Sequence, residues 1–187
     1  IDDTIVTAGR TIDELLKKGP TDLTIDGHKV SLPLVKTGYD AVGRVVPVRK
    51  NTVYDAANKL YLEQLKQLNP IPVLCHREHM TPAAVCRVCM VDVNGRLVPA
   101  CQFPLWDKPG MIVSTIKTSP RVEKVVKTLT ELLVGEHLVE REPGRQYGEN
   151  ELATLAKRLQ VMQSRFPKST KFQTTQNMGH MRDDSSL

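Results

Sequence analysis

Aromatic residues are scarce in this chain. Only 4% of its 187 residues are Phe, Trp or Tyr, and there is a single Trp. Apolar residues still make up 40%, so a core must rest on Val, Leu, Ile and Ala. No apolar run approaches the roughly 20 residues of a membrane-spanning helix, and no span is expected. The opening stretch, "IDDTIVTAGR", is acidic and polar and lacks the apolar centre of a secretory signal. It begins with Ile, which leaves a removed leader or an earlier start open. There is no G-x-G-x-x-G and no P-loop, so the usual phosphate cradles for a nucleotide are excluded. No nucleophile–base pair stands out, and no catalytic residue is expected. There is no internal repeat. Cysteine is absent everywhere except between residues 75 and 101.

The chain carries 26 Lys and Arg against 21 Asp and Glu, a formal net charge of +5. A basic balance favours nucleic acid, anionic membrane or acidic protein partners without choosing among them. The most basic stretch, "KRLQVMQSRFPKSTKF", carries an occasional aromatic but no recognisable stacking platform or nucleic-acid fold. No nucleic-acid partner is expected. A tail that docks on a neighbouring subunit accounts for the same composition.

Three zones follow from the pattern. Residues 1–40 read as an N-terminal extension. Within it, Thr11 and Glu14 fit a capping box for a short helix that Gly19-Pro20 stops. Asp26-Gly27 marks a hairpin between two alternating runs. Residues 41–135 read as a compact α+β domain. "GRVVPVRK" is a strand. "NTVYDAANKLYLEQLKQL" is a helix capped by Thr52, with Val53, Ala56, Ala57, Leu60 and Leu65 on one side. "CMVDVNGRLVPAC" is a hairpin around Asn94-Gly95, and "GMIVSTI" is a further strand. The strongest helix is "SPRVEKVVKTLTELLVG". Ser119 caps it, Pro120 takes its first position, Val122, Val125, Val126, Leu129, Leu132 and Leu133 form its apolar stripe, and Gly135 ends it. Residues 136–187 read as a polar tail. It holds one more amphipathic helix, with Leu152, Leu155, Ala156 and Leu159, and beyond Pro167 it is too polar to build a core.

All four cysteines stand in the spacing C-x10-C-x2-C-x11-C, at Cys75, Cys86, Cys89 and Cys101. Three chemistries compete for them. Disulfides suit small secreted chains, and Cys86 and Cys89 are poorly spaced partners for a structural bridge. Zinc sites usually present two short knuckles, and only one is present here. A [2Fe-2S] cluster needs four thiolates on an irregular loop, with backbone N–H groups turned toward the sulfurs. Small Ala83 and Ala84 allow close backbone approach. The prolines of "NPIPVL" stiffen the chain ahead of Cys75, and the hairpin returns it to Cys101.

The stretch "IPVLCHREHMTPAAVCRVCMVDVNGRLVPACQFPL", followed by "GMIVSTIKTSPRVEKVVKTLTELLVGEH", resembles the N-terminal ferredoxin-like domain of the large iron–sulfur subunit of respiratory complex I. That subunit occurs in bacteria and, as the 75-kDa subunit, in mitochondria. Multisubunit hydrogenases and formate dehydrogenases share the module. The resemblance implies a β-grasp ferredoxin fold over roughly residues 42–137. It implies one [2Fe-2S] cluster held by Cys75, Cys86, Cys89 and Cys101. It further implies a non-catalytic electron-relay subunit, peripheral within a complex on the cytoplasmic side of a bacterial membrane or in the mitochondrial matrix. Expected neighbours are flavin- and NADH-binding, hydrogenase-like or quinone-reducing subunits. The host implied is a complex I-like NADH:quinone oxidoreductase; the alternatives are the same module in a hydrogenase or formate dehydrogenase complex, or a structural or assembly subunit with an inert or absent cluster.

The family continues with H-x3-C-x2-C-x5-C-E-L, which binds a [4Fe-4S] cluster. Here His137 matches, and so do Glu151 and Leu152. The three cysteine positions hold Arg141, Gly144 and Asn150, none of them a soft ligand. No [4Fe-4S] cluster is expected. The chain thus resembles a shortened form of that large iron–sulfur subunit. His76 and His79 flank the first cysteine and are expected at the surface or in hydrogen bonds. His137 is expected at a helix end, while His28 and His180 carry no signal. Arg77, Arg87 and Arg96 are expected near the cluster, either to tune it, to dock an acidic partner, or simply as solvated charge.

Overall fold

The computed structural model describes residues 11–77, 82–106, 108–137, 151–161 and 163–166. It divides into two compact units, Ile1–Lys127 and Thr128–Leu187. Among the described residues, no helix is long and apolar enough to cross a membrane.

The first unit is built on a five-stranded mixed sheet. Its strands are β1 (Thr21–Ile25), β2 (His28–Leu32), β5 (Met90–Val93), β6 (Arg96–Pro99) and β7 (Met111–Ser114), in the order β2-β1-β7-β5-β6. β1 and β7 pair in parallel, Leu23 with Met111 and Ile25 with Val113. Every other pairing in this sheet is antiparallel. Helix α2 (Val53–Asn58) continues as a wider π-helical segment, Lys59–Gln64. It buries Val53, Ala56, Ala57, Leu60 and Tyr61 in one core with Leu23, Ile25, Val91, Val93, Met111 and Val113. A helix held in the grip of such a sheet is the β-grasp ferredoxin-like arrangement, and the α+β class is as expected. A separate hairpin, β3 (Val35–Tyr39) with β4 (Val45–Lys50), is inserted between β2 and α2.

Local chemistry explains the elements. Strand β1 alternates, with Thr21, Leu23 and Ile25 inward, the period-2 signature of a half-buried strand. In helix α1 (Ile12–Leu16), Thr11 and Glu14 form the expected capping box. Thr52 caps α2, and Asp55 completes the box by accepting from the Thr52 N–H at 2.8 Å. Asp55 is also gripped by both Arg49 guanidinium nitrogens, at 2.6 and 2.8 Å. Burial opposes ionisation of Asp55, but Arg49 and Thr52 outweigh it and hold its pKa below the ordinary value. Such a charge-assisted, two-point bond fixes the start of the helix and the end of β4 together.

The sequence pattern makes residues 1–40 an extension, and here the fold differs. The Asp26-Gly27 hairpin supplies two of the five strands, and Leu23, Ile25 and Val30 are core residues. The alternation is legible, but the parallel partner of β1 lies almost ninety positions downstream, where no local pattern can point. Asp26 adopts a left-handed φ of +49°. Its carboxylate accepts from the Thr115 N–H at 2.8 Å, the Thr115 hydroxyl at 2.6 Å, the Tyr61 hydroxyl at 2.5 Å, and the Thr118 hydroxyl. One turn residue thereby ties β1, the α2 extension and the segment after β7.

The second hairpin forms around Asn94-Gly95 as expected, with φ of +49° and +88°. Asn94 does more than turn the chain. Its side-chain oxygen accepts from the Ile112 N–H at 2.7 Å, and its amide donates to the Gly110 carbonyl at 3.0 Å. Asn94→Ala forfeits both bonds and places a Cβ-only residue at positive φ. The expected loss is about 2 kcal/mol of stability, read as a lower urea midpoint with unchanged slope.

Helix α3 (Pro120–His137) starts as expected, with the Ser119 hydroxyl accepting from the Val122 N–H at 3.3 Å. It runs two residues past Gly135. In the second unit Gly135 serves close packing: a Cβ there would sit 2.6 Å from the Ser164 hydroxyl oxygen. Nearby, Glu131 accepts from the Arg165 backbone N–H at 2.7 Å and from two of its guanidinium nitrogens. Helix α4 (Glu151–Leu159) buries Leu155, Ala156 and Leu159. Arg141, Gly144, Asn150, His79 and His180 lie outside the described residues.

Candidate metal centre

Two loops and one hairpin deliver the cysteines. Cys75 ends an irregular approach in which Pro70, Ile71 and Pro72 are buried. Asn69 fixes that approach: its side-chain oxygen accepts from the Ile71 N–H at 2.9 Å, and its amide donates to Asn58 at 2.6 Å. Cys86 and Cys89 sit on the loop leading into β5. Cys101 follows β6 by two residues. The β5–β6 register continues past the strands, with the Ala100 N–H donating to the Cys89 carbonyl at 2.9 Å. That places Cys101 against Cys89. Both are buried, whereas Cys75 and Cys86 are partly exposed.

The thiols form two couples. Cys89 and Cys101 are hydrogen-bonded side chain to side chain, and so are Cys75 and Cys86. All four lie close enough for their charges to interact at Cys101. No three His, Cys, Asp or Glu side chains among the described residues close on a single ion.

Backbone N–H groups surround the sulfurs. Those of Cys86 and Val85 point to Cys75, those of Cys75 and Val88 to Cys86, and that of Cys101 to Cys89. The cause is local. Ala84 and Arg87 adopt left-handed φ of +53° and +59°, unusual for residues with a Cβ. Each turns the next N–H inward, giving a concave run of donors that suits negative charge. Nothing in the sequence marks Arg87 as such a position, and small size is the only signal at Ala84. The Asn69-Pro70 dipeptide is the one local signal for the turn ahead of Cys75.

The electrostatics follow. At Cys89 the hydrogen bond from the Cys101 thiol prevails over burial and, with the N–H groups, lowers the pKa to about 7. Cys101 is pushed up, first by holding the shared proton for Cys89 and then by burial. Burial opposes ionisation of Cys75, but the N–H groups and thiol of Cys86 bring its pKa down. Burial and the Cys75 thiol raise Cys86. In each couple one thiol is thus made more acidic and the other less so, and metal binding to thiolates releases protons.

The flanking residues divide. His76 is 5% exposed, a correction to a surface position. Its ring meets Tyr54 edge-on with centroids 5.3 Å apart, so the first turn after Cys75 is folded inward. Arg77 braces that turn by donating to the Leu74 and His76 carbonyls at 3.3 and 3.1 Å. Arg87 is exposed beside Cys86, and Arg96 begins β6.

A β-grasp domain with four thiols on such a loop defines the ferredoxin-like class of iron–sulfur proteins. Residues 44–118 match the family described as 2Fe-2S iron-sulfur cluster binding domain. It is 33% identical over 171 residues to NADP-reducing hydrogenase subunit HndD of Solidesulfovibrio fructosivorans, a match spanning 88% of this chain and 24% of that protein. It is 32% identical over 115 residues to a subunit of the NADH-quinone oxidoreductase of Streptomyces coelicolor, covering 62% of this chain and 11% of the relative. In three dimensions it resembles a chain of the NAD+-reducing [NiFe]-hydrogenase in its H2-reduced state. That likeness has a TM-score of 0.55 at 27% identity and covers 79% of this chain and 52% of the other.

Proposed function

We propose that Cys75, Cys86, Cys89 and Cys101 hold one [2Fe-2S] cluster and that the chain relays single electrons within a multisubunit oxidoreductase. The observation that carries this is the set of four thiols on the loop and hairpin around β5–β6, within the stretch that matches a 2Fe-2S cluster binding domain. A mononuclear zinc site needs four ligands about a common point at roughly 2.3 Å. A dinuclear cluster needs two thiolates for each iron, which two couples supply. The cluster, when bound, supplies one-electron chemistry. The chain's residues do the rest: the thiolates fix it, the inward N–H groups stabilise charge on the sulfurs, and burial of Cys89 and Cys101 keeps water from one side.

The neighbours on this reading are other redox subunits. The HndD match spans more of the chain than the NADH-quinone oxidoreductase match. That favours a hydrogenase-type host over a complex I-like one, at the cytoplasmic or matrix face of its membrane. Residues 136–187 serve as the docking tail. With Arg141, Gly144 and Asn150 in place of cysteines, no [4Fe-4S] cluster binds.

Anaerobic reduction of the purified protein tests this. The expected result is one rhombic electron paramagnetic resonance signal near g of about 2, with about two iron atoms per chain. An EPR-silent protein containing zinc overturns the relay, and about six irons per chain overturn the single cluster. The co-purifying subunits decide the host.

A further inference from the structure

Beside the cysteine loop lies an open groove of about 730 Å³. Arg49, Lys50, Arg87 and Arg96 line it, and no carboxylate among the described residues does. Its floor is apolar, with Leu97 and Phe103 among the lining residues. Lys50, Arg87 and Arg96 give this lining a positive balance, the Arg49 charge being offset by its two-point pair with Asp55. Arg49 is anchored by Asp55, which is not among the lining residues. Arg87 stands exposed one residue from Cys86, and Gln102, also lining the groove, follows Cys101 directly.

We propose that this groove seats an acidic, extended segment of the protein that exchanges electrons with the cysteine site. The inference rests on the relay reading above. Strand β6 forms the edge of the five-stranded sheet. The bond from Ala100 N–H to the Cys89 carbonyl sets the phase of the ladder. Val98 and Arg96 therefore face β5, and the Leu97 N–H and carbonyl face outward. Pro99, the next outward position, has no N–H, and its carbonyl already accepts from Gln102 and Phe103. The edge offers one main-chain pair and then stops, so a long added strand is excluded. An occupant is held by its charges, with one backbone pair to set its direction.

A second observation favours a protein over a small anion. Strand β4, which supplies Arg49 and Lys50, also carries Val45 and Val48, 64% and 57% exposed. Tyr39, paired with Val45 across the hairpin, is 79% exposed. The strand that supplies two of the groove's cations thus also exposes apolar side chains. A polyphosphate has no use for that surface, whereas a protein partner buries it.

The test uses the full chain in its native complex. A p-benzoylphenylalanine replaces Gln102, and after irradiation the cross-linked peptide is sequenced. The expected peptide carries several Asp or Glu in a short extended run without Lys or Arg. Adding Arg87→Glu with Arg96→Glu lowers the cross-link yield by about tenfold or more, while visible absorption of the cysteine site stays unchanged. Arg96→Glu alone, with a smaller drop, serves if the double variant misfolds. A neutral or basic peptide, no cross-link, or an unchanged yield in the variants overturns the proposal. So does loss of the cross-link on adding inorganic pyrophosphate at about 1 mM, with no effect of matched ionic strength. Absence of the iron–sulfur absorption in the unsubstituted chain would instead overturn the relay reading.

Discussion

Cys101→Ala is expected to strip the protein of its cluster. Iron and acid-labile sulfide should fall from about two per chain to below about 0.2, and the reduced-state resonance should vanish. The reasoning is one of supply. Cys101 is fully buried beside Cys89 at the end of the β5–β6 ladder, and the chain has no fifth cysteine to replace it. His76 is the one histidine described close to the cysteines, and its ring lies against Tyr54. On the proposed assignment, losing one thiolate would leave Cys89 without its partner and one iron of the cluster with a single protein ligand. The truncation itself removes only a sulfur from a core held by Val91, Val93 and Val98, so far-UV circular dichroism should stay close to that of the parent. Retention of two irons per chain would overturn the four-thiolate assignment.

The second large effect is expected at Asp26. Asp26→Ala removes the acceptor for Tyr61, Thr115 and Thr118 at once and puts alanine at positive φ. The loss should be about 3 kcal/mol, with roughly half of it in Asp26→Asn, which tolerates the backbone and keeps one acceptor oxygen. In a chain of this size 3 kcal/mol lowers Tm by roughly 6–12 °C. The charge adds a pH signature. Burial raises the Asp26 pKa, but the surrounding donors outweigh it and bring it below the ordinary 3.8. A depressed carboxylate pKa stabilises the fold above the unfolded value, and that contribution is lost as pH falls through the folded value. The stability gap between the parent and Asp26→Asn should therefore stay constant from about pH 8 to pH 5 and close only below the ordinary carboxylate range. A gap that closes near pH 6 would assign the effect to another group.

What can be read without coordinates is whatever is local. Thr11, Thr52 and Ser119 as caps, and the turns at Asp26-Gly27 and Asn94-Gly95, follow from residues within four positions of one another. The approach of Cys101 to Cys89 is legible for the same reason, since a tight hairpin must return one to the other. What stays hidden depends on distant partners. Asp26 looks like a turn residue, and only the parallel pairing of β1 with β7 makes it a hub. Residues 21–32 look detachable because the second partner of β1, strand β7, lies far along the chain. Arg87 shows only its charge in the sequence, while its backbone, set by the need to aim the next N–H at sulfur, carries the structural role. His76 looks polar and exposed, and the fold turns it inward against Tyr54.

The parallel pairing of β1 with β7 also orders events during folding. Leu23 can meet Met111 only after the whole intervening chain is available, and long-range closure of that kind is slow compared with forming a two-residue hairpin. The β5–β6 hairpin needs nothing distant, so Cys89 and Cys101 can find each other first. During that interval the apolar face of β1, with Leu23 and Ile25, has no parallel partner. A cell making this protein must therefore shield β1 until β7 arrives.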